Sequence, residues 1–251
     1  MTPCHAVERE SESSSAHVTP VVFVVDDDAS VRESLEAMVR SAGLIPEIFA
    51  CAQDFLGRPR PMVPNCLVLD VSLPELGGLD LQKLIATERT DMPIIFMTGF
   101  DEVRTAVWAM KAGAFDILTK PFDDHVLLDV IRQAIERSRA AMREEAELQA
   151  IQDRYAALSQ REREVMALVV TGLLNKQVGG ELGICEITVK MHRRHVMRKM
   201  SARSLADLIS MEWRLHPECG PTGGATTQLR ERWGVLRRSS KSVIRIEQPV
   251  A

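Results

Sequence analysis

Between residues 20 and 120 the chain carries five short runs of β-branched and other apolar residues, which close in polar residues and are followed by stretches with helical spacing. They are Val21–Val25, Pro46–Ala50, Cys66–Asp70, Ile94–Thr98 and Phe115–Thr119. Runs of this length suit strands, and strands alternating with helices predict an α/β domain with a mainly parallel sheet. The unbroken apolar character of VVFVV and IIFM predicts strands covered on both faces. Helices are expected at Ser30–Ala42, Leu79–Arg89 and Glu102–Ala112, the first and last closing at Gly43 and Gly113.

After residue 123 the pattern changes. Residues 124–155 are rich in Ala, Glu, Arg and Gln and lack Gly and Pro, which predicts one last helix running into a helical linker. From Leu158 to Leu215 the spacing is helical throughout, broken at Gly172 and Gly183. The net charge of −4 hides two opposed parts: residues 21–123 hold 16 acids and 9 bases, whereas 156–214 hold 6 acids and 10 bases. Residues 215–251 add 3 acids and 6 bases. An average near neutrality therefore does not argue against a nucleic-acid partner for the second part. With 251 residues the chain is long enough for two domains of roughly 100–150 residues each. The expected organisation is a disordered N-terminus (1–19), an α/β domain (20–138), a helical linker (139–155), an all-α four-helix domain (156–215) and a poorly ordered basic tail (216–251). The tail from Arg230 reads as solvated sequence rather than a further phosphate-contacting arm. No apolar stretch approaches the ~18 residues of a membrane span, and residues 1–20 lack the apolar core of a signal peptide, so a cytoplasmic protein is expected. Five scattered cysteines (Cys4, Cys51, Cys66, Cys185 and Cys219) without a C-x-x-C pair read as reduced thiols.

Ligands of an open parallel sheet bind beyond the carboxyl ends of its strands, and the polar residues of the first domain fall there. Asp26, Asp27 and Asp28 close the first strand, Asp70 the third and Thr98 the fourth, and Lys120 follows the fifth. Converging carboxylates either raise one another's pKa or hold a divalent cation. An oxygen-only set suits Mg²⁺, and a nearby hydroxyl and ammonium shape the site for a phosphoryl group. The stretches VVDDD (24–28), LVLDVSLPELGGLDL (67–81), IIFMTG (94–99) and ILTKPF (117–122) resemble the receiver domain of two-component response regulators over nearly all of 20–140. That resemblance implies a flavodoxin-like doubly wound fold, with Asp70 as phosphoacceptor and Asp26, Asp27, Asp70 and the backbone carbonyl of Ser72 as Mg²⁺ ligands. It further implies Thr98 and Lys120 as phosphoryl contacts and a cis peptide at Lys120–Pro121. One position departs from the pattern: Ile117 stands where the family usually carries Tyr or Phe. This removes the aromatic part of the family's switch and leaves Thr98 to move its loop and the helix at Glu102–Ala112. A second resemblance competes, because D-x-D-x-S at Asp26, Asp28 and Ser30 is similar to the haloacid-dehalogenase phosphatases. It would make Asp26 the nucleophile and Asp28 the acid/base, but it leaves the Asp70 segment without a role.

In the basic domain, Ser159 and Glu162 form a capping-box signal, with Leu158, Val165, Leu168 and Val169 on one face of the helix that follows. Asn175 is expected to cap a short helix to Leu182, and Gly183 separates it from a third helix over 186–200. Ile187, Met191, Val196 and Met200 are expected as the buried stripe of that third helix, leaving Thr188, Lys190, His192, Arg193, Arg194, His195, Arg198 and Lys199 largely outside. Two helices joined at a glycine turn, the second basic on its free face, make a helix-turn-helix pattern. Residues 160–211 are similar throughout to the four-helix DNA-binding domain of LuxR/FixJ-type transcription factors. The resemblance implies that the 186–200 helix enters the major groove, with Thr188, Lys190, His192, Arg193, Arg194, Arg198 and Lys199 as DNA-binding residues and Ala202–Trp213 as the dimerisation helix. His195 stands where this family commonly carries Asn, and Gly179–Gly180 replace residues that are commonly alanine, at a cost of roughly 0.8–1 kcal/mol each.

Joined in this order, the two resemblances imply a non-enzymatic transcriptional response regulator. Its expected partners are a sensor histidine kinase that phosphorylates Asp70, promoter DNA, RNA polymerase and a second copy of the chain, without a membrane. A regulator independent of phosphorylation is the remaining alternative; the complete set Asp26, Asp27, Asp70, Thr98 and Lys120 argues against it.

Overall fold

A computed structural model describes residues 18–74, 76–89, 91–99 and 103–217. The expected N-terminal disorder and basic tail fall almost wholly outside these residues. By its internal contacts the chain divides into two units, Met1–Glu144 and Glu145–Ala251.

The first unit alternates strand and helix: β1 (Val21–Val25), α1 (Ala29–Ser41), β2 (Ile45–Phe49), α2 (Ala52–Leu56), β3 (Asn65–Asp70), α3 (Gly78–Glu88), β4 (Ile94–Thr98), α4 (Val103–Lys111) and β5 (Asp116–Thr119). A long helix, α5 (Asp124–Ala156), follows. The strands form one parallel sheet in the order β2-β1-β3-β4-β5. Alternate side chains of β1 serve opposite faces, as the period of two requires. Phe23 and Val25 pack with Phe55 of α2, Leu81 and Ile85 of α3 and Ala109 of α4. Val22 and Val24 pack with Leu35 and Val39 of α1 and with Leu127, Ile131 and Ile135 of α5. Both faces are thus covered, which is why these strands read as unbroken apolar runs. The strand order reverses between β1 and β3, and such sheets bind their ligands at that point, beyond the carboxyl ends of the strands. Helix α2 has no counterpart in the periodicity; at five residues it is too short to show one, and it is held by burying Ala52 and Phe55.

The second unit contains the end of α5, then α6 (Gln160–Val169), α7 (Asn175–Leu182), α8 (Glu186–Met200) and α9 (Leu205–Leu215). Its core joins Ile151, Leu158, Val165, Leu168, Val178, Val189, Val196, Met200 and Leu208. Ser159 and Glu162 complete the expected capping box: Glu162 N–H donates to Ser159 Oγ at 3.3 Å, and Ser159 N–H donates to Glu162 Oε2 at 2.8 Å.

Three local expectations are corrected. Asn175 does not cap α7; Leu174 holds that position, its N–H donating to Gln177 Oε1 at 2.8 Å, while Asn175 begins the helix. Gly179 is more than a weak helix former, because a Cβ there would lie 2.7 Å from the carbonyl oxygen of Ile184; Gly180 faces open space. The buried stripe of α8 is Val189, Val196 and Met200, whereas Ile187 and Met191 are 79% and 48% exposed. Val196 lies nine residues beyond Ile187, two and a half turns at about 3.6 residues each, so the two stand on opposite sides of the helix.

Candidate functional site

Strand pairing brings the acidic residues together. The β1–β3 register sets Val25 beside Leu69, so Asp26 and Asp70 emerge at adjacent strand ends. Asp26 is fully buried and Asp70 nearly so, while Asp27 is exposed. Among the described residues Asp26, Asp27 and Asp70 form a group with ligand atoms within 4.8 Å of one another. Three carboxylates at this spacing supply the hard oxygen donors that a small divalent cation takes.

Lys120 holds the cluster. Its Nζ donates to Asp26 Oδ2 and to Asp70 Oδ2, both at 2.8 Å. It is carried there by β5, where the Lys120 N–H donates to the Thr98 carbonyl at 2.7 Å, and the Lys120–Pro121 peptide is cis. The other oxygens of the two acids are held by backbone: Asp28 N–H donates to Asp26 Oδ1 at 2.9 Å and Ser72 N–H to Asp70 Oδ1 at 3.1 Å. Burial pushes the Asp26 carboxyl above the usual carboxylate range, and Lys120 only partly opposes it. Burial also pulls the Lys120 ammonium down, but the two carboxylates together outweigh it and leave it raised. Thr98 ends β4 beside this group, buried, with its Oγ1 donating to the Gly99 carbonyl at 3.2 Å. Ile117 packs at the edge of the core on the α2–α4 side of the sheet.

Two supporting residues were given no role by the sequence pattern, although Gly78 lies within the 67–81 stretch that carries the receiver resemblance. A Cβ on Gly78 would lie 2.7 Å from the Asp70 carbonyl oxygen, so glycine lets α3 begin against the end of β3. Arg32 Nη1 donates to the Asp26 carbonyl at 2.7 Å and so braces that strand end from α1.

The second unit presents α8. Ile187, Lys190, Met191, Arg194 and Arg198 recur at the helical period on its exposed side, opposite the buried stripe. Lys190, Met191, Arg194, His195 and Arg198 line a groove of 490 Å³. Lys190 rests 2.9 Å from Glu186, an exposed pair of the kind worth at most about 1 kcal/mol. The remaining predicted residues do not join this face. Lys199 Nζ donates to Glu162 Oε2 at 2.6 Å, and Arg193 Nη1 donates to Asn175 Oδ1 at 3.2 Å. Thr188 and His192 are half-buried on the flank. His195 Nδ1 lies 3.6 Å from Glu162 Oε1.

Comparison with known proteins covers both units. Residues 22–132 match the response regulator receiver domain, and residues 156–212 match the bacterial regulatory proteins of the luxR family. Nodulation protein W of Bradyrhizobium diazoefficiens is 49% identical over 198 residues, covering 79% of this chain and 87% of that protein. The transcriptional regulatory protein FixJ of the same organism is 41% identical over 193 residues, covering 77% and 94%. Among solved structures, the response regulator StyR is 42% identical with a TM-score of 0.70, covering 78% of this chain and 98% of that one. The phosphatase reading finds no support in these relatives, a family not known as enzymes, and Asp28 is occupied in capping α1, where its carboxylate accepts from Ser30 N–H at 2.8 Å. No described helix is long and apolar enough to cross a membrane. The chain belongs to the transcriptional response regulators that join a receiver domain to a LuxR-type DNA-binding domain.

Proposed function

We propose that a sensor histidine kinase phosphorylates Asp70 and that the phosphorylated chain pairs with a second copy, binds promoter DNA and acts on RNA polymerase there, in the cytoplasm. The observation that carries this reading is the double contact of Lys120, 2.8 Å from both Asp26 and Asp70, beside an exposed third carboxylate. A carboxylate oxygen of Asp70 is the nucleophile: its new bond to phosphorus forms as the bond to the donor breaks. Asp26, Asp27, Asp70 and the backbone carbonyl of Ser72 would hold Mg²⁺. The ion supplies positive charge that neutralises the incoming phosphoryl oxygens. Lys120 then exchanges its Asp70 contact for a phosphoryl oxygen, and the Thr98 hydroxyl turns to another.

Added charge of about −1.5 to −2 at this crowded site favours a rearrangement around Thr98. Ile117 leaves this movement to Thr98. A shift from 1:99 to 99:1 between two receiver states requires ~5.5 kcal/mol of differential stabilisation. Exposed Val107, Trp108 and Met110 on α4, with Val126 on α5, provide apolar area for pairing of receivers. In the second domain, Lys190, Arg194 and Arg198 are proposed as DNA contacts, with Thr188, His192 and Arg193 on the flank; Lys199 serves the fold through Glu162. Helix α9 is proposed as the dimerisation helix of that domain, and pairing two modules sets two half-sites about one helical turn apart.

Incubation with acetyl phosphate and Mg²⁺, read by intact mass, tests the phosphoacceptor. A phosphoryl adduct is expected on the wild type and on Asp28→Ala, and none on Asp70→Ala. An adduct that survives Asp70→Ala overturns the assignment.

A further inference from the structure

We infer that Ile187 and Met191 on α8 read the 5-methyl groups of thymine in the major groove, so that the DNA this chain selects carries thymines at two defined places. The inference rests on α8 being the DNA-contacting helix. A single exposed apolar side chain signals nothing, because much of any protein surface is apolar. Here two large ones, 79% and 48% exposed, stand four residues apart on the side of α8 opposite its buried residues Val189, Val196 and Met200. They share that side with Lys190, Arg194 and Arg198, and Met191 lines the groove with all three cations. Such a surface suits a partner that is polyanionic at its rim and offers apolar points within. The major groove has this chemistry: phosphates border it, and among the four bases only thymine presents a methyl group there.

The placement along the helix agrees. Base edges are met by residues near the N-terminus of a recognition helix, and Ile187 is the second residue of α8. Four residues at 1.5 Å each separate Ile187 from Met191 by about 6 Å along the helix, more than one base-pair step of about 3.4 Å, so the two side chains can meet different base pairs. The two methyl contacts therefore fall on separate, nearby base pairs. Neither residue contributes to the core of its domain, so shortening them leaves the fold intact.

Selection from a random DNA duplex library with the full chain, with and without acetyl phosphate and Mg²⁺, supplies the probe. Each thymine in the enriched duplex is then replaced by deoxyuridine, which removes only the methyl group. The wild type is expected to weaken about fourfold at each of two positions, the worth of one buried methyl. Ile187→Ala and Met191→Ala should each become indifferent to deoxyuridine at one of them, whereas Arg194→Ala should bind more weakly yet keep the sensitivity. Equal binding of thymine and deoxyuridine duplexes by the wild type, or full sensitivity retained in both alanine variants, overturns the inference alone. A folded chain that enriches no duplex overturns the DNA reading of α8 and this inference with it.

Discussion

Replacing Lys199 with methionine separates two roles that a lysine near the end of α8 can fill, phosphate contact and structural counter-ion. Its Nζ lies 2.6 Å from Glu162 Oε2, and the Glu162 side chain is only 6% exposed. Burial alone raises such a carboxyl; Lys199 and the capping bonds to Ser159 outweigh it and lower Glu162 from 4.5 to about 2. That lowering is shared between Lys199 and the two Ser159 bonds, and the Lys199 side chain is 34% exposed, so its charge-assisted bond to Glu162 is worth about 1.5 kcal/mol. Because the folded-state pKa is depressed, this stabilisation is present above the unfolded value of 4.5 and disappears as pH falls from there towards 2. Urea-dependent hydrogen exchange of peptides covering 160–169 and 186–200 measures it. Lys199→Met should lower the opening free energy of both helices by about 1.5 kcal/mol, and the folded variant should keep the salt dependence of DNA binding. Undiminished protection together with a DNA salt slope reduced by about one unit would refute the counter-ion role and restore Lys199 to the DNA contacts.

Lys190→Ala and Arg194→Ala should leave that protection unchanged while each weakens DNA binding and reduces the salt slope by about 0.9, measured by anisotropy across a salt series. Lys120→Ala leaves Asp26 and Asp70 facing each other without a cation; thermal melts should show a loss of about 3 kcal/mol, partly recovered by added Mg²⁺. The raised pKa of Lys120 means that its contribution is complete below 10.5 and is lost as pH rises through the folded-state value, which an alkaline melt series checks. The two glycines of α7 should respond oppositely: Gly180→Ala gains up to about 1 kcal/mol, whereas Gly179→Ala loses stability because its Cβ meets the Ile184 carbonyl. Urea titrations of both variants check the signs.

The sheet and its site could be read from the sequence because a doubly wound fold puts periodicity and chemistry in the same places. Apolar runs mark strands buried on both faces, and the polar residue ending a strand is already at the ligand-binding edge. Asp26, Asp70, Thr98 and Lys120 needed no knowledge of side-chain packing to be found. Gly78 and Arg32 did, since they act through the backbone carbonyls of Asp70 and Asp26, and such contacts leave no pattern. In α8 the residue types were visible but the buried side was misjudged: Ile187 and Met191 are as apolar as Val196 and Met200, and only strict use of the 3.6-residue period separates them. Gly179 shows the converse limit. Helix propensity marks it as a cost, while the turn at Gly183–Ile184 makes it a requirement of space.

Under the proposed function, chemistry at Asp70 governs what α8 does with DNA. Titrating the full chain against one selected duplex, before and after acetyl phosphate and Mg²⁺, in wild type and Asp70→Asn, checks this link. Tighter binding after treatment of the wild type and no change in Asp70→Asn is the predicted result. Equal affinity before and after treatment of the wild type, or equal tightening in Asp70→Asn, would contradict it.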